Sequence, residues 1–232
     1  MQRARKLAFA APVLLLLLCA HPASSAADDL KTVLHQLDES AKSFHTASAN
    51  FKFDNTQTEP VPDTDTWTGI VYYKHDGNEL QMAAHIEKRD NQPFPAVYNY
   101  SHGLFQYYQE NLDQVTRYKG SGNMAGYLML GFGASGKDLA DKFDITYQGQ
   151  ETIDGVRTDK LVLAPKDPSV LRFFQKVTIW IDPTRDVNLK QVFDEGEGLS
   201  RVCTYSNIQL NQPIPGRDFT FKTDKKTTYT NQ

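Results

Sequence analysis

The sequence has almost no cysteine to build with. Cys19 lies in the apolar run near the N-terminus and Cys203 stands alone after it, so no internal disulfide can form and the fold must be held by burial. Basic excess is missing too: 25 Lys and Arg face 28 Asp and Glu. That balance excludes the cationic surface needed for nucleic acid or an anionic membrane. No internal repeat, low-complexity tract or linker divides the chain, so one domain over 27–232 is expected. Nor is there a membrane-length apolar stretch. The leader MQRARKLAFAAPVLLLLLCAHPASSAADD has Arg3, Arg5 and Lys6 ahead of a short apolar core and small residues near Ala26, the pattern of a secretory signal peptide over 1–26. Cleavage is expected after Ala26 or Ala27, with export to the periplasm. Lipidation at Cys19 fits poorly, because Leu18 stands where such signals carry a small residue.

Chemistry-bearing arrangements are absent as well. His35, His45, His75, His85 and His102 are scattered without the spacing of a helical metal site. Asp182, Asp186, Asp194, Glu195 and Glu197 lie in or beside turn sequences, where acids bond the local backbone. Ser135 has no G-x-S-x-G elbow around it, and Cys203 sits mid-strand as a small hydrophobe would. No catalytic residue, metal or cofactor is expected.

One stretch imitates a nucleotide site. GFGASGKD places Gly131, Gly136 and Lys137 as a phosphate loop would, but Asp138 stands where Mg²⁺ chemistry needs a hydroxyl. A different reading accounts for each residue. Gly131 and Gly133 supply the positive φ that ends a helix, and Ser135 with Asp138 forms a capping box that starts the next one.

What the sequence does contain is periodicity. Leu30, Val33, Leu34, Leu37, Ala41 and Phe44 recur at helical spacing, with Asp28 or Asp29 available as N-cap. Beyond them the period becomes two: Ala49, Phe51 and Phe53, then Trp67, Gly69, Val71 and Tyr73, alternate with other residues. Further runs at about 79–87, 96–101, 104–109, 114–119, 144–149, 157–164, 175–182, 188–194 and 199–210 are joined by short turns. Connections that short require antiparallel pairing, and about eleven strands must curl. Tyr72 beside Tyr73, and Tyr107 beside Tyr108, put aromatics on both faces of their strands. One face must therefore be covered by helices, and the candidates are the opening helix and segment 123–143.

The order of these pieces resembles the periplasmic carriers that move lipoproteins to the outer membrane, the LolA-like family. The likeness runs through LKTVLHQLDESAKSFHTASANFKF, TGIVYYKHDGNELQM and YNYSHGLFQYYQENLDQVTRY. It is strongest in KLVLAPKDPSVLRFFQKVTIWIDPTRDVNLKQVFDEGEGLSRVCTYSNIQLNQPIPGRDFTF, where the last strand runs to an F-x-F end. The resemblance implies a mainly β fold, an unclosed half-barrel of about eleven antiparallel strands with an α-helical lid. It also implies a monomeric carrier that takes acylated lipoproteins or lipids from an inner-membrane releasing complex to an outer-membrane acceptor. A related half-barrel that binds free lipid or senses lipoprotein for an envelope regulator is the alternative, and a secreted carboxylate hydrolase a more distant one.

On this resemblance the lid would comprise Met124, Tyr127, Leu128, Met129, Leu130 and Phe132, hinged at Gly131 and Gly133. Phe51, Phe53, Trp67, Tyr73, Met82, Ile86, Tyr107, Ile179 and Ile181 become cavity or core residues. One departure stands out. The family's lid-latching arginine follows a lysine at the end of the second strand, whereas here Lys74 is followed by His75. Either His75 is a weaker, pH-sensitive latch or the lid is controlled differently.

Overall fold

The apolar stripe of the opening segment forms helix α1, Ala26–Ser43, which starts ahead of the two aspartates expected to cap it. Val33 and Leu37 are buried on its inner side, and Leu30 and Leu34 pack beside them. Each such burial stabilises the fold by about 1.5–3 kcal/mol. The protein is described, in a computed structural model, at residues 26–76, 79–118, 127, 130–171 and 173–232. The expected signal peptide falls outside these up to residue 25. No helix among the described residues is long and apolar enough to cross a membrane.

Among the described residues, twelve strands make one sheet. They are β1 (Thr46–Gln57), β2 (Asp63–Asp76), β3 (Glu79–Arg89), β4 (Gln92–Ser101), β5 (Leu104–Gln109), β6 (Gln114–Tyr118), β7 (Phe143–Ile153), β8 (Val156–Pro165), β9 (Lys176–Asp182), β10 (Val187–Gly196), β11 (Leu199–Leu210) and β12 (Thr228–Asn231). Their spatial order is β12-β6-β5-β4-β3-β2-β1-β11-β10-β9-β8-β7. Two meanders thus meet at the β1–β11 pair, and the sheet ends in free edges without closing. A second helix, α2 (Gly136–Lys142), precedes β7. The architecture is the expected unclosed, mainly β half-barrel with helices against one face.

Two details differ from the sequence reading. The F-x-F end is not part of a strand: β11 stops at Leu210, and Phe219 and Phe221 belong to a strap laid across the outer face. Phe219 meets Tyr72 edge-on at 6.2 Å, and Phe221 stacks on Tyr108 at 4.9 Å. His85 Nε2 bonds the Asp218 carbonyl at 2.8 Å, and Asn99 Nδ2 donates to the Phe219 carbonyl at 2.6 Å. The strap thus covers Tyr72 and Tyr108 on the outer face, while on the other face Tyr73 is buried in the core and Tyr107 is half-buried. The strap then adds β12, the twelfth strand, parallel to β6. Four residues reading Thr-Tyr-Thr-Asn are too few and too polar to announce a strand.

Candidate functional site

Register fixes the inner face. Phe51 pairs with Gly69 and Tyr205, Phe53 with Trp67 and Cys203, and Ala47 with Tyr73. Tyr73 pairs onward with Met82 and then Tyr100, and Gly69 with Ile86. Across the other meander Cys203 pairs with Gln191, Gln191 with Ile179, and Ile179 with Leu161. Directly paired residues share a face, so all nine proposed cavity residues point to the same side. That side has two parts. Tyr73, Met82, Ile179 and Ile181 are buried in the main core, and Ile86 is buried alongside. Phe51, Phe53, Trp67 and Tyr107 are only half-buried.

The half-buried part is an aromatic trough. Tyr98 stacks on Trp67 at 6.2 Å, on Tyr107 at 4.5 Å and on Phe105 at 5.7 Å, and Phe105 leans on Tyr118 at 5.5 Å. None of these rings is fully covered. The sequence reading named only Trp67 and Tyr107 among them. Tyr98, Phe105 and Tyr118 share the parity of Tyr107, so strand pairing was the missing signal. Polar groups line the trough's margin: Asp65 accepts from the Trp67 indole at 2.7 Å and from Arg89 Nε at 2.8 Å. The Arg89 guanidinium lies 5.8 Å from the ring centres of both Trp67 and Phe94. Beside the trough, a cavity of about 490 Å³ is lined by Phe51, Gly69, Tyr205 and Asp154, with mostly polar residues completing it. The apolar surface offered to a ligand in this conformation is the open trough.

The core part is closed by the segment leading into α2. Met124, Leu128 and Met129 lie outside the described residues. Tyr127 packs edge-on against Phe143 and Phe174 at 5.5 and 6.1 Å. Leu130 and Phe132 are buried, with Phe132 stacked on Tyr73 at 4.9 Å and edge-on to Tyr205 at 4.9 Å. Gly131 has the expected positive φ of 81° and also fills a contact, since a Cβ there would lie 2.1 Å from the Asn188 Cβ. Gly133, at φ 76°, would drive its Cβ into the Phe44 ring. The two glycines therefore sit tightly against their neighbours. Ser135 caps α2, accepting the Asp138 N–H at 3.0 Å and donating to the Asp138 carboxylate at 2.7 Å. Asp38 of α1 accepts the Lys137 N–H at 2.9 Å, which ties the two helices together.

A polar chain holds this cover to the sheet, and no sequence pattern pointed to it. Asn188, fully buried at 0% exposure, donates its backbone N–H to the Gly131 carbonyl at 2.9 Å and its Nδ2 to the Leu130 carbonyl at 3.4 Å. The same Nδ2 reaches Gln191 Oε1 at 3.2 Å, and Gln191 Nε2 donates to the Tyr205 hydroxyl at 2.7 Å. Tyr205 is hydrogen-bonded in turn to Tyr73. Burial raises the pKa of both phenols and pushes the Cys203 thiol up to about 12, so all three stay protonated at neutral pH. Cys203 is thus inert, as its mid-strand position suggested.

His75 stands beneath the cover, edge-on to Phe44 at 5.7 Å, with its backbone N–H on the His45 carbonyl at 2.9 Å. Burial holds its imidazole below the ordinary histidine range; Asp138 works against that and His45 with it. Between the lowered folded pKa and the usual value near 6.5, the unfolded chain takes up a proton that the folded chain refuses. Stability should fall as pH drops through that window and level off below it. His75→Gln is expected to flatten this decline, read as melting temperature from about pH 8 to about pH 5. An unchanged slope would remove His75 from any pH response.

Among the described residues no three His, Cys, Asp or Glu side chains come together to hold a metal ion. No protein-family model matches the chain, and no curated protein matches it. Solved structures do share its fold. An uncharacterized conserved protein from Thermus thermophilus is similar at 10% identity over 88% of this chain and 99% of that one, with a TM-score of 0.54. MucB is similar at 11% identity over 84% of this chain and 63% of its own, with a TM-score of 0.51. A LolA superfamily protein from Nitrosomonas europaea matches at 18% identity over 86% and 99%, with a TM-score of 0.41. For the Thermus thermophilus protein and MucB the likeness is one of fold.

Proposed function

We propose that this protein is a periplasmic carrier that shields the acyl chains of lipoproteins on its inner face and delivers them towards the outer membrane. The observation that carries the reading is the aromatic trough, Trp67, Tyr98, Phe105 and Tyr107, left half-open beside a core that helices cover. Four adjoining aromatic rings left half-buried on one face fit a binding surface. Each methylene of an acyl chain laid along it leaves water with a gain of about 0.8 kcal/mol, so a long chain is held firmly without any covalent step. Aromatic rings suit a carrier, because they give area without directional bonds that would fix the cargo. Release would pass the chains to an outer-membrane acceptor, and loading would come from an inner-membrane releasing complex.

The test is displacement of a hydrophobic fluorescent probe by a diacylated peptide and by the same peptide without its chains. Displacement by the acylated form alone is expected. Trp67→Ala with Tyr107→Ala should weaken the probe by about tenfold or more while leaving the β-type circular dichroism intact. Equal displacement by both peptides would sink the acyl-chain reading. Native mass spectrometry of the protein taken from its own compartment separates the cargoes: bound lipoprotein supports the carrier, and bound free lipid supports the alternative of a lipid-binding half-barrel.

A further inference from the structure

The trough has a charged end. Register sets Asp65, Asn55 and Arg201 in one row across β2, β1 and β11, two pairs beyond the row of Trp67, Phe53 and Cys203 and on the same face. Arg201 is half-buried and bonded through Nε to Glu195 Oε1. Among the described residues its side chain makes no other hydrogen bond, which leaves the two terminal nitrogens of a five-donor guanidinium available. Burial holds its pKa below the ordinary arginine range, and Tyr98 lies near enough to oppose that shift. The influence is mutual, for burial raises the Tyr98 phenol while Arg201 pulls it back. Tyr98 is also without a hydrogen-bond partner among the described side chains, although its ring is packed between Trp67 and Tyr107. Register thus sets a guanidinium on the trough's own face, at the end of its rings.

We propose that Arg201 is the receptor for the oxyanion of a single-chain amphiphile whose acyl tail lies along the trough. This rests on the reading of the inner face as an acyl-chain surface and adds the head group to it. The chemistry is that of a carboxylate or phosphate oxygen taken by two parallel N–H donors from the planar guanidinium. Glu195 fits the scheme as the group that orients Arg201, because it occupies Nε and turns the terminal fork away from itself. The partial burial that removes water from Arg201 also strengthens its attraction for an anion. A tail alone would be held anywhere along the rings; a head bound at Arg201 gives the ligand a direction.

The experiment is a titration of the mature protein with palmitate, 1-palmitoyl lysophosphatidate and uncharged monopalmitoylglycerol, each below its micelle-forming concentration, read by displacement of a fluorescent probe. Arg201→Gln is expected to weaken one or both anions by about tenfold or more and to leave the glycerol ester unchanged. Loss confined to palmitate assigns a carboxylate source, and loss confined to lysophosphatidate a phosphate one. Should Arg201→Gln unfold because Glu195 is left unpaired, Arg201→Gln combined with Glu195→Gln carries the same measurement. Anions and ester weakened equally, or not at all, would overturn the head-group receptor while leaving the acyl surface standing. Failure of all three to displace the probe from the unaltered protein would instead overturn the acyl surface itself.

Discussion

Phe132→Ala is expected to lower unfolding free energy by about 3–5 kcal/mol, the range for removing a buried phenylalanine. The ring has 0% exposure and touches Tyr73 face to face and Tyr205 edge to face. Its removal leaves a hole that two fully packed tyrosines on a rigid sheet cannot collapse to fill. For a domain of this size each kcal/mol moves the melting temperature by roughly 2–4 °C, so a drop of roughly 6–20 °C should be measured. Phe132→Leu keeps most of the volume and should cost under about 1.5 kcal/mol. If the cover opens during binding, the alanine variant should also take up a hydrophobic probe faster. A loss below about 1 kcal/mol would show that Phe132 contributes little to seating the cover.

Asn188→Asp should cost about 3 kcal/mol at neutral pH although it changes a single atom. The carboxylate keeps the two acceptor bonds, to the Trp180 and Lys190 N–H groups at 3.2 Å each. It loses the donor bonds to Leu130 and Gln191 and sets a charge where there is no exposure. Burial raises such a carboxyl's folded pKa above its unfolded value near 3.9, so the penalty grows as pH rises above that value and levels off at the folded pKa. The variant should approach the unaltered protein below about pH 4. Denaturant midpoints taken against pH would reveal this; a deficit that is the same at every pH would assign the loss to packing and leave Asn188 without a special hold on the cover.

Much of the architecture was legible because it rests on period. Leu30, Val33, Leu34 and Leu37 can satisfy only a helix laid on something apolar, and Phe51 and Phe53 only a strand with one covered face. The paired aromatics Tyr72–Tyr73 and Tyr107–Tyr108 required cover on two sides, yet no pattern along the chain hints that an irregular strap provides the second. Such a strap has no period, since its contacts are isolated anchors such as Phe219 and Phe221. The site was legible only in part for a related reason. Trp67 and Tyr107 stand out in composition, while Tyr98, Arg201 and Asn188 acquire meaning through neighbours on other strands or on another segment. An arginine between Ser200 and Val202 looks like an outward residue until its partner strands are known.

The pairing of β1 with β11 bears on how the molecule comes together. The first strand lies in the middle of the sheet, yet one of its two neighbours is the eleventh. A nascent chain can assemble β1 to β6 as successive hairpins, but β1 keeps an unsatisfied edge until nearly all the sequence has been made. The outer aromatics stay wet for longer still, until the strap crosses them. Folding is therefore dominated by non-local contacts and should be slow for the chain's size, with a half-sheet intermediate that exposes an edge and is open to mispairing.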